Sequence, residues 1–434
     1  MMMILYRLLY LPGLILGLPY YAWRMWRRGG YRKGFGNRFG LMDKIPPKRK
    51  NVKRIWIQAV SVGELLAIGP LLQQLQEFGD IEVILTTTTS TGRRVLEEKL
   101  APLVAWHGTF PLDFWPFSRS AWKKIQPDMA ILMEGELWPE HIHQAHRGGV
   151  PVLLVNARLS DRSFRRHLKL RSFARAYMRH LDYILAGSET DRERLLQLGW
   201  VSPERILSTG NLKLDIDLPD PPGNDEREIQ LSEFGMPPDG TLLLLGSSTW
   251  PGEESALVEA YLEMRPVVPG LRLLIVPRHA ERKSELLQLM SDQPVVSHFR
   301  SDGRQAQSGT EVYIADTTGE LKNLTRFADL VFVGKSLPPN TGGQTPVEAA
   351  AMGKALVFGP DMSNFRDISR SLIRSGAAIA INSTEDLQPA LGELLSEPGR
   401  REEMGLNARA FIEQSRGATG RIIQQIRSRL DQPS

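Results

Sequence analysis

The sequence predicts an α/β protein: two doubly wound domains with parallel sheets facing each other across a cleft, led by a hydrophobic membrane anchor. Three observations carry that prediction. Short apolar, β-branched runs alternate with helical stretches in two sets, a Pro- and Asp-rich stretch separates the sets, and the chain opens on an apolar, aromatic run closed by arginines. At 434 residues and 42% hydrophobic content, with no internal repeat, the chain is long enough for two cores. The predicted boundaries are 1–30 for the anchor, 31–212 for the first domain, 213–240 for the linker and 241–434 for the second domain.

The opening run reads MMMILYRLLYLPGLILGLPYYAWRMWRR and is apolar from Leu8 to Trp23. That core is slightly short of the ~20 residues of an ordinary spanning helix, and Pro12 and Pro19 are expected to interrupt it. It therefore either spans a membrane or lies in its interface; a buried first helix of a soluble domain is the plainer alternative. Tyr and Trp beside Arg fit interfacial anchoring, no small-residue cleavage site follows, and the positive-inside rule keeps the rest of the chain cytoplasmic. Up to Arg54, thirteen lysines and arginines stand against the single acid Asp43, so this end carries +12 and the remainder −7 of the net +5. Basic residues beside an apolar anchor suit anionic lipid head groups, at roughly 1 kcal/mol each near the surface. The same cluster is a poor nucleic-acid site, because no recognition motif accompanies it. The absence of cysteine removes disulfides and thiolate metal sites.

The first set of predicted strands is RIWIQAV, IEVILTT, DMAILM, PVLLVN and YILAGS; the second is TLLLLG, LRLLIVP, EVYIAD, DLVFVG and KALVFG. Strands alternating with helices argue for parallel sheets, and uninterrupted apolar strands argue that both sheet faces are covered. The stretch LDIDLPDPPGNDEREIQ reads as the linker. The last stretch, REEMGLNARAFIEQSRGATGRIIQQIRSRL, reads as helical and either closes the second domain or crosses back to the first.

In such folds ligands bind outside the carboxyl ends of strands, where loops lead into helix N-termini. In RIWIQAVSVGELLAIGPLL, Glu64 falls at that position, with Gly63 allowing close backbone approach. A helix N-terminus favours the ionised carboxylate that a general base requires; the plainer role is a first-turn acid that complements the helix dipole. The second domain offers anion sites of the same kind. Ser247, Ser248 and Thr249 lie between a strand and a helix, and Arg278 and His279 lie just past a strand, where a guanidinium can fork onto phosphate. Gly319 exposes backbone N–H groups at a helix start, and the Gly- and Pro-rich loop VGKSLPPNTGGQTPVEAAAMG ends at Pro346, with Glu348 placed to hold a ribose diol. Helix capping explains each of these residues singly; four such places in one domain favour a nucleotide-bearing donor. The dinucleotide GxGxxG and P-loop motifs are absent. His141, His143 and His146 read as a polar helix rather than a metal site, and Asp215-Ile216-Asp217 as a solvated turn.

Together these stretches resemble the 3-deoxy-D-manno-oct-2-ulosonic acid (Kdo) transferases of lipopolysaccharide assembly, membrane-anchored glycosyltransferases of the GT-B fold with two Rossmann-like domains. The matching stretches run nearly end to end: GNRFG, AVSVGE, TTTTSTG, MEGELWPE, NARLSDRS, GNLKLD, GSST followed by GEE, VPRHAER, DTTGEL and PVEAAAMGKALVFGP.

The resemblance implies an inverting transfer of Kdo from CMP-Kdo to the acylated glucosamine disaccharide of a lipid A precursor, at the cytoplasmic face of the cell inner membrane. Glu64 would be the catalytic base, Arg278 would engage the donor phosphate, the Gly319-Glu320-Leu321 backbone the nucleotide, and Glu348 the ribose. Ser247, Thr249, His279 and Lys335 complete the expected donor-binding set. No metal or organic cofactor is implied. Arg162, Arg165 and Arg166 of RLSDRSFRRHLKLRSFARAYMRH either meet acceptor phosphates or form a solvated helix face. The chain departs from the family at Gln58, where His is common, and in the glycine loop at Lys335 and Gln344-Thr345. Lys335 there either contacts phosphate or the sugar carboxylate, or is exposed loop. The alternatives are a nucleotide-sugar epimerase of the same fold, a glycosyltransferase with another nucleotide-sugar donor, and a non-catalytic membrane scaffold.

Overall fold

The computed structural model describes residues 2–28, 34–216 and 218–431. The chain forms two compact units, Met1–Asp215 with Arg416–Ser434, and Ile216–Ser415.

The first unit carries a seven-stranded sheet in the order β3-β2-β1-β4-β5-β6-β7. Its strands are β1 (Lys53–Gln58), β2 (Ile81–Thr87), β3 (Trp106–Thr109), β4 (Met129–Met133), β5 (Val152–Ala157), β6 (Tyr183–Ala186) and β7 (Ile206–Ser208). Every pair is parallel. One face is closed by Leu65, Leu71, Leu72 and Leu75, together with Ala418, Ile422, Ile426 and Leu430 of the last helix, Ala418–Leu430. That helix thus belongs to the first unit, and its start is fixed there by Asp215, which accepts from the Gly417 and Thr419 N–H groups at 2.8 and 2.6 Å.

The second unit repeats the plan in the order β10-β11-β9-β8-β12-β13-β14. Its strands are β8 (Leu242–Thr249), β9 (Leu271–Pro277), β10 (Ser297–Phe299), β11 (Val312–Ile314), β12 (Leu330–Val333), β13 (Ala355–Phe358) and β14 (Ala378–Ala380), again all parallel. Residues 213–240, expected as linker, include the helix Asn224–Glu233, which belongs to this unit; Leu231 and Phe234 are buried and Arg227 reaches Asp329 at 2.7 Å.

In each sheet the strand order reverses beside the first strand, between β1 and β4 and between β8 and β12. Those reversals are where loops leave in opposite directions and open a crevice for ligand.

Helix α1 (Met2–Arg28) is long and apolar enough to cross a membrane. It continues through Pro12 and Pro19, which were expected to interrupt it. An interior proline removes one backbone hydrogen bond, which a helix of this length can lose without ending. Met3, Tyr6, Arg7 and Tyr10 face the first unit, while Leu5, Leu8, Leu9, Ile15 and Leu16 are exposed.

Candidate active site

The strand–turn–helix around Glu64 is built by its own sequence. β1 ends at Gln58, Ser61 caps helix α2 (Val62–Ala67), and the Ser61 Oγ accepts from the Glu64 N–H at 3.2 Å. The Glu64 carboxylate reaches back to accept from the Val60 N–H at 2.9 Å, the Ser61 N–H at 3.3 Å and the Ser61 hydroxyl at 2.8 Å. This is a reciprocal capping box. The plainer reading of Glu64 as a first-turn acid is therefore realised in the structure, and the same bonds fix the orientation of a carboxylate that is 7% exposed. Burial pushes Glu64 above the usual carboxylate range, Glu134 adds to this, and the Val60 and Ser61 bonds and Lys213 oppose it.

Charged residues from the adjacent strand ends converge on it. Glu134 and Glu136 follow β4, Arg158 follows β5, and Lys213 sits on the turn Leu212–Leu214. Lys213 Nζ lies 2.6 Å from Glu134, and an Arg158 guanidinium nitrogen lies 3.9 Å away from the same carboxylate. Asn156 donates to Glu134 at 3.4 Å, and its side-chain oxygen accepts from the Leu212 N–H at 3.1 Å. Glu134 and Asn156 both hold left-handed backbone, at φ 52° and 53°. Non-glycine residues in that region cost energy and gather at functional sites. Glu136, held by the Trp138 indole N–H at 2.9 Å, is pushed up to about 7, mainly by burial and then by Glu64.

None of these four residues was singled out from the sequence. MEGELWPE and GNLKLD are visible as motifs, but nothing in their spacing shows that Glu134 and Lys213, 79 positions apart, form a pair. Gln58 is buried and accepts from Thr86 at 2.8 Å, which makes it part of the sheet interior beneath the site. Arg162, Arg165 and Arg166 lie exposed on the helix Asp161–Lys169 that follows β5.

In the second unit Ser247, Thr249 and Lys335 lie at the ends of β8 and β12, Arg278 and His279 at the end of the neighbouring β9, and Gly319–Leu321 beyond β11. Ser247 and Thr249 are buried at the end of β8, so their side chains support the loop from below. Arg278, just past β9, is exposed, and its N–H bonds the Thr249 carbonyl at 3.0 Å. Trp250 packs edge-on against His279 with ring centres 5.1 Å apart, and Lys335 Nζ lies 4.8 Å above the Trp250 ring. Glu253, buried, ties the loops together: it accepts from the N–H groups of Trp250 at 2.9 Å, Lys335 at 2.7 Å, Ser336 at 2.8 Å and Leu337 at 3.0 Å. In the sequence this glutamate stands within GEE with nothing to mark its role.

Gly319, at φ 89°, and Glu320 precede the short helix Leu321–Thr325. The Glu320 side chain is spent within the unit, accepting from Arg300 at 2.6 and 2.5 Å and from the Thr317 hydroxyl, which leaves the backbone as the group on offer. Glu348 is half-buried at the start of the helix Val347–Ala351 and accepts from Thr345 at 3.0 Å.

Among the described residues, no three His, Asp or Glu side chains form a group able to hold a metal ion. His141 is buried between Trp122 and the Pro111 carbonyl, and burial pushes it down to about 3. His146 stacks on His180, with ring centres 3.8 Å apart. Asp215 caps the last helix, as given above, and Asp217 lies outside the described residues.

A family model described as 3-deoxy-D-manno-octulosonic-acid transferase (kdotransferase) matches residues 33–216. The chain is 33% identical to a 3-deoxy-D-manno-octulosonic acid transferase of Bordetella pertussis, over 93% of this chain and 94% of that protein. It is 31% identical to one of Haemophilus influenzae, over 92% of each. Among solved structures, a glycosyltransferase from Rickettsia africae aligns with 88% of this chain and 100% of its own at a TM-score of 0.60 and 13% identity, a likeness of fold.

Proposed function

This chain belongs to the 3-deoxy-D-manno-octulosonic acid transferases, glycosyltransferases of lipopolysaccharide biosynthesis, and from that premise we propose that it moves Kdo with inversion from CMP-Kdo to a lipid A precursor, Glu64 acting as general base. The observation that supports this most is the Glu64 carboxylate, held by three hydrogen bonds at the strand-order reversal, where a ligand crevice is expected. The acceptor hydroxyl gives its proton to Glu64 as its oxygen bonds the anomeric carbon. The bond to the CMP phosphate breaks, and its electron pair leaves on the phosphate. A buried carboxylate with a raised proton affinity is a competent base near neutral pH.

In the second unit Arg278 is exposed at a strand end and takes the donor phosphate, with positive charge and backbone donors stabilising the leaving group in place of a metal. Lys335 and His279, gathered on Trp250, and the Glu348 carboxylate complete the donor contacts. The acceptor is an acylated, phosphorylated lipid, which accounts for α1 and for exposed arginines at 162, 165 and 166. The enzyme sits at the cytoplasmic face of the inner membrane, on anionic lipid, without nucleic acid and without a cofactor.

Mass spectrometry of a lipid A precursor incubated with the purified full-length protein and CMP-Kdo tests the reading, with Glu64→Gln alongside. A mass shift of one or more Kdo units with wild type alone supports it. No shift with folded wild type and authentic donor sinks the assigned reaction; an equal shift with Glu64→Gln removes Glu64 as the base.

A further inference from the structure

Two stretches of the first unit root on one strip of aromatic rings. The first is the start of α1, where the Tyr6 hydroxyl donates to Asp113 and Tyr10 stacks on Phe114. The second is the turn Phe35–Phe39: Phe39 packs on Phe117 with ring centres 5.2 Å apart, and the Gly40 carbonyl next to it accepts from Ser120 at 2.9 Å. Phe114 and Phe117 touch each other at 5.5 Å, so Tyr10, Phe114, Phe117 and Phe39 are continuous. The chain thus leaves the first unit after Tyr10 and is back on the same strip at Phe35. Residues 11–28, as helix, rise about 27 Å. The way back is shorter, because Arg28 and Gly34 are six peptide links apart, a reach of at most about 21 Å. A hydrocarbon core is about 30 Å thick. With both roots on one surface, the far end of α1 cannot emerge on the other side of a bilayer, although the helix alone is long and apolar enough to cross one.

Beyond Tyr10 the helix surface is apolar and unpartnered: Leu11, Ile15, Leu16, Leu18 and Trp26 are all exposed. Near its end Arg27 lies over the Trp23 ring at 5.4 Å, an aromatic and a cation that suit the head-group level and would be costly within hydrocarbon. The apolar character continues on the first unit beside the strip, where Phe35, Phe39, Leu41 and Trp115 are each more than a third exposed. We propose that α1 is a monotopic anchor: it enters one leaflet, with Leu16 in the hydrocarbon and Arg27 back at the head groups on the side that carries the first unit. Phe35, Phe39, Leu41 and Trp115 rest on that lipid surface as a rim. The inference rests on the reading that α1 meets a membrane. It also sets which end of the sheet faces lipid. The strip lies past the carboxyl ends of β2 and β3, where Arg38 donates to the Thr88 carbonyl at 2.8 Å, and in a parallel sheet that is the end that carries Glu64.

The chain has no cysteine, so a single introduced cysteine reports its own position. Full-length Leu16→Cys, Trp26→Cys and Ser172→Cys are expressed, and sealed membrane vesicles of both orientations are treated with a membrane-impermeant maleimide. Ser172, exposed on the first unit, marks the side on which that unit lies. Trp26→Cys is expected to label in the same orientation as Ser172→Cys and to be protected with it in the other, while Leu16→Cys stays protected in both until detergent is added. Labelling of Trp26→Cys in the orientation that protects Ser172→Cys means that α1 spans, and overturns the proposal. Labelling of Leu16→Cys as fast as Ser172→Cys overturns it too, because α1 then lies outside the lipid. A bimane on Leu41→Cys should lose most of its fluorescence to lipid that carries a head-group nitroxide; unquenched fluorescence overturns the placement of the rim. Wild-type protein that fails to sediment with phosphatidylglycerol vesicles rejects the membrane reading of α1 itself.

Discussion

Arg7 forks onto Glu140 at 2.7 and 2.8 Å, joining the second turn of α1 to a fully buried carboxylate on the helix Pro139–Arg147. One residue earlier, the Tyr6 hydroxyl donates to Asp113 at 2.5 Å, and Tyr10 stacks on Phe114 with ring centres 5.7 Å apart. The apolar helix is therefore fastened to the first unit by polar side chains on one face, and the opposite face is left apolar and exposed. A helix held in this way has a fixed direction relative to the first sheet, rather than trailing as a loose tether.

Arg7→Ala leaves the buried Glu140 carboxylate without its counter-charge. A fully buried pair broken on one side loses about 3–5 kcal/mol; Arg7 is 26% exposed, so a loss of about 2 kcal/mol is expected. Urea unfolding in detergent measures it. Deleting residues 2–28 should both lower stability and abolish sedimentation with anionic vesicles; a truncation that still sediments would remove α1 as the anchor.

Asp113 gives this joint a pH dependence. Burial pushes it up to about 7 against opposing hydrogen bonds from Tyr6 and the Glu140 and His141 backbone. The folded state then binds the Asp113 proton more tightly than the unfolded chain, so this group's contribution to stability is present at low pH and is lost as pH rises from about 4 towards 7. His141, pushed down to about 3, works in the opposite direction, and referring Asp113→Asn to wild type cancels it. Relative to wild type, Asp113→Asn should gain of order 1 kcal/mol for each pH unit across that window. Parallel stability curves for the two proteins would show that Asp113 is not the group.

Glu64 closes the capping box of α2 and is the proposed base, and two substitutions separate the two roles. Gln also serves at the third position of a capping box, so Glu64→Gln should hold stability while turnover falls by roughly 10²–10⁴. Glu64→Ala should show the same loss of turnover and also forfeit about 1 kcal/mol of helix capping. If the two variants are equally stable the cap contributes nothing, and if Gln keeps turnover the carboxylate is not the base.

The ten strands read from hydrophobic runs are the ten inner strands of the two sheets. The four not anticipated, β3, β7, β10 and β14, are the edges, each three or four residues long. An edge strand pairs on one side only, so its sequence carries little of the continuous apolar signal of a strand buried on both faces. The position of Glu64 was legible because strand end, small-residue turn and carboxylate are contiguous. Glu134 with Lys213 and Arg7 with Glu140 were not, because each pair is joined by tertiary folding across 79 and 133 positions. The loops held by Glu253 show the same limit. Thr249, expected in the donor set from its place between a strand and a helix, is buried, whereas Glu253 organises the loop through backbone groups, which have no signature in side-chain sequence.

Arg278 and Glu253 should fail in different ways. Arg278 is exposed at the end of β9, so Arg278→Ala is expected to weaken CMP-Kdo binding in calorimetry while leaving the unfolding transition where it was. Glu253 accepts four backbone N–H groups from inside the second unit. In Glu253→Gln one acceptor oxygen becomes a donor that faces other donors, so about 3 kcal/mol of stability should be lost. Donor binding should weaken with it, because the segment Lys335–Leu337 is no longer held against Trp250. Wild-type affinity in Arg278→Ala would take that residue out of the donor site. Unchanged stability in Glu253→Gln would mean that the loop is held from elsewhere and that Glu253 does not position Lys335.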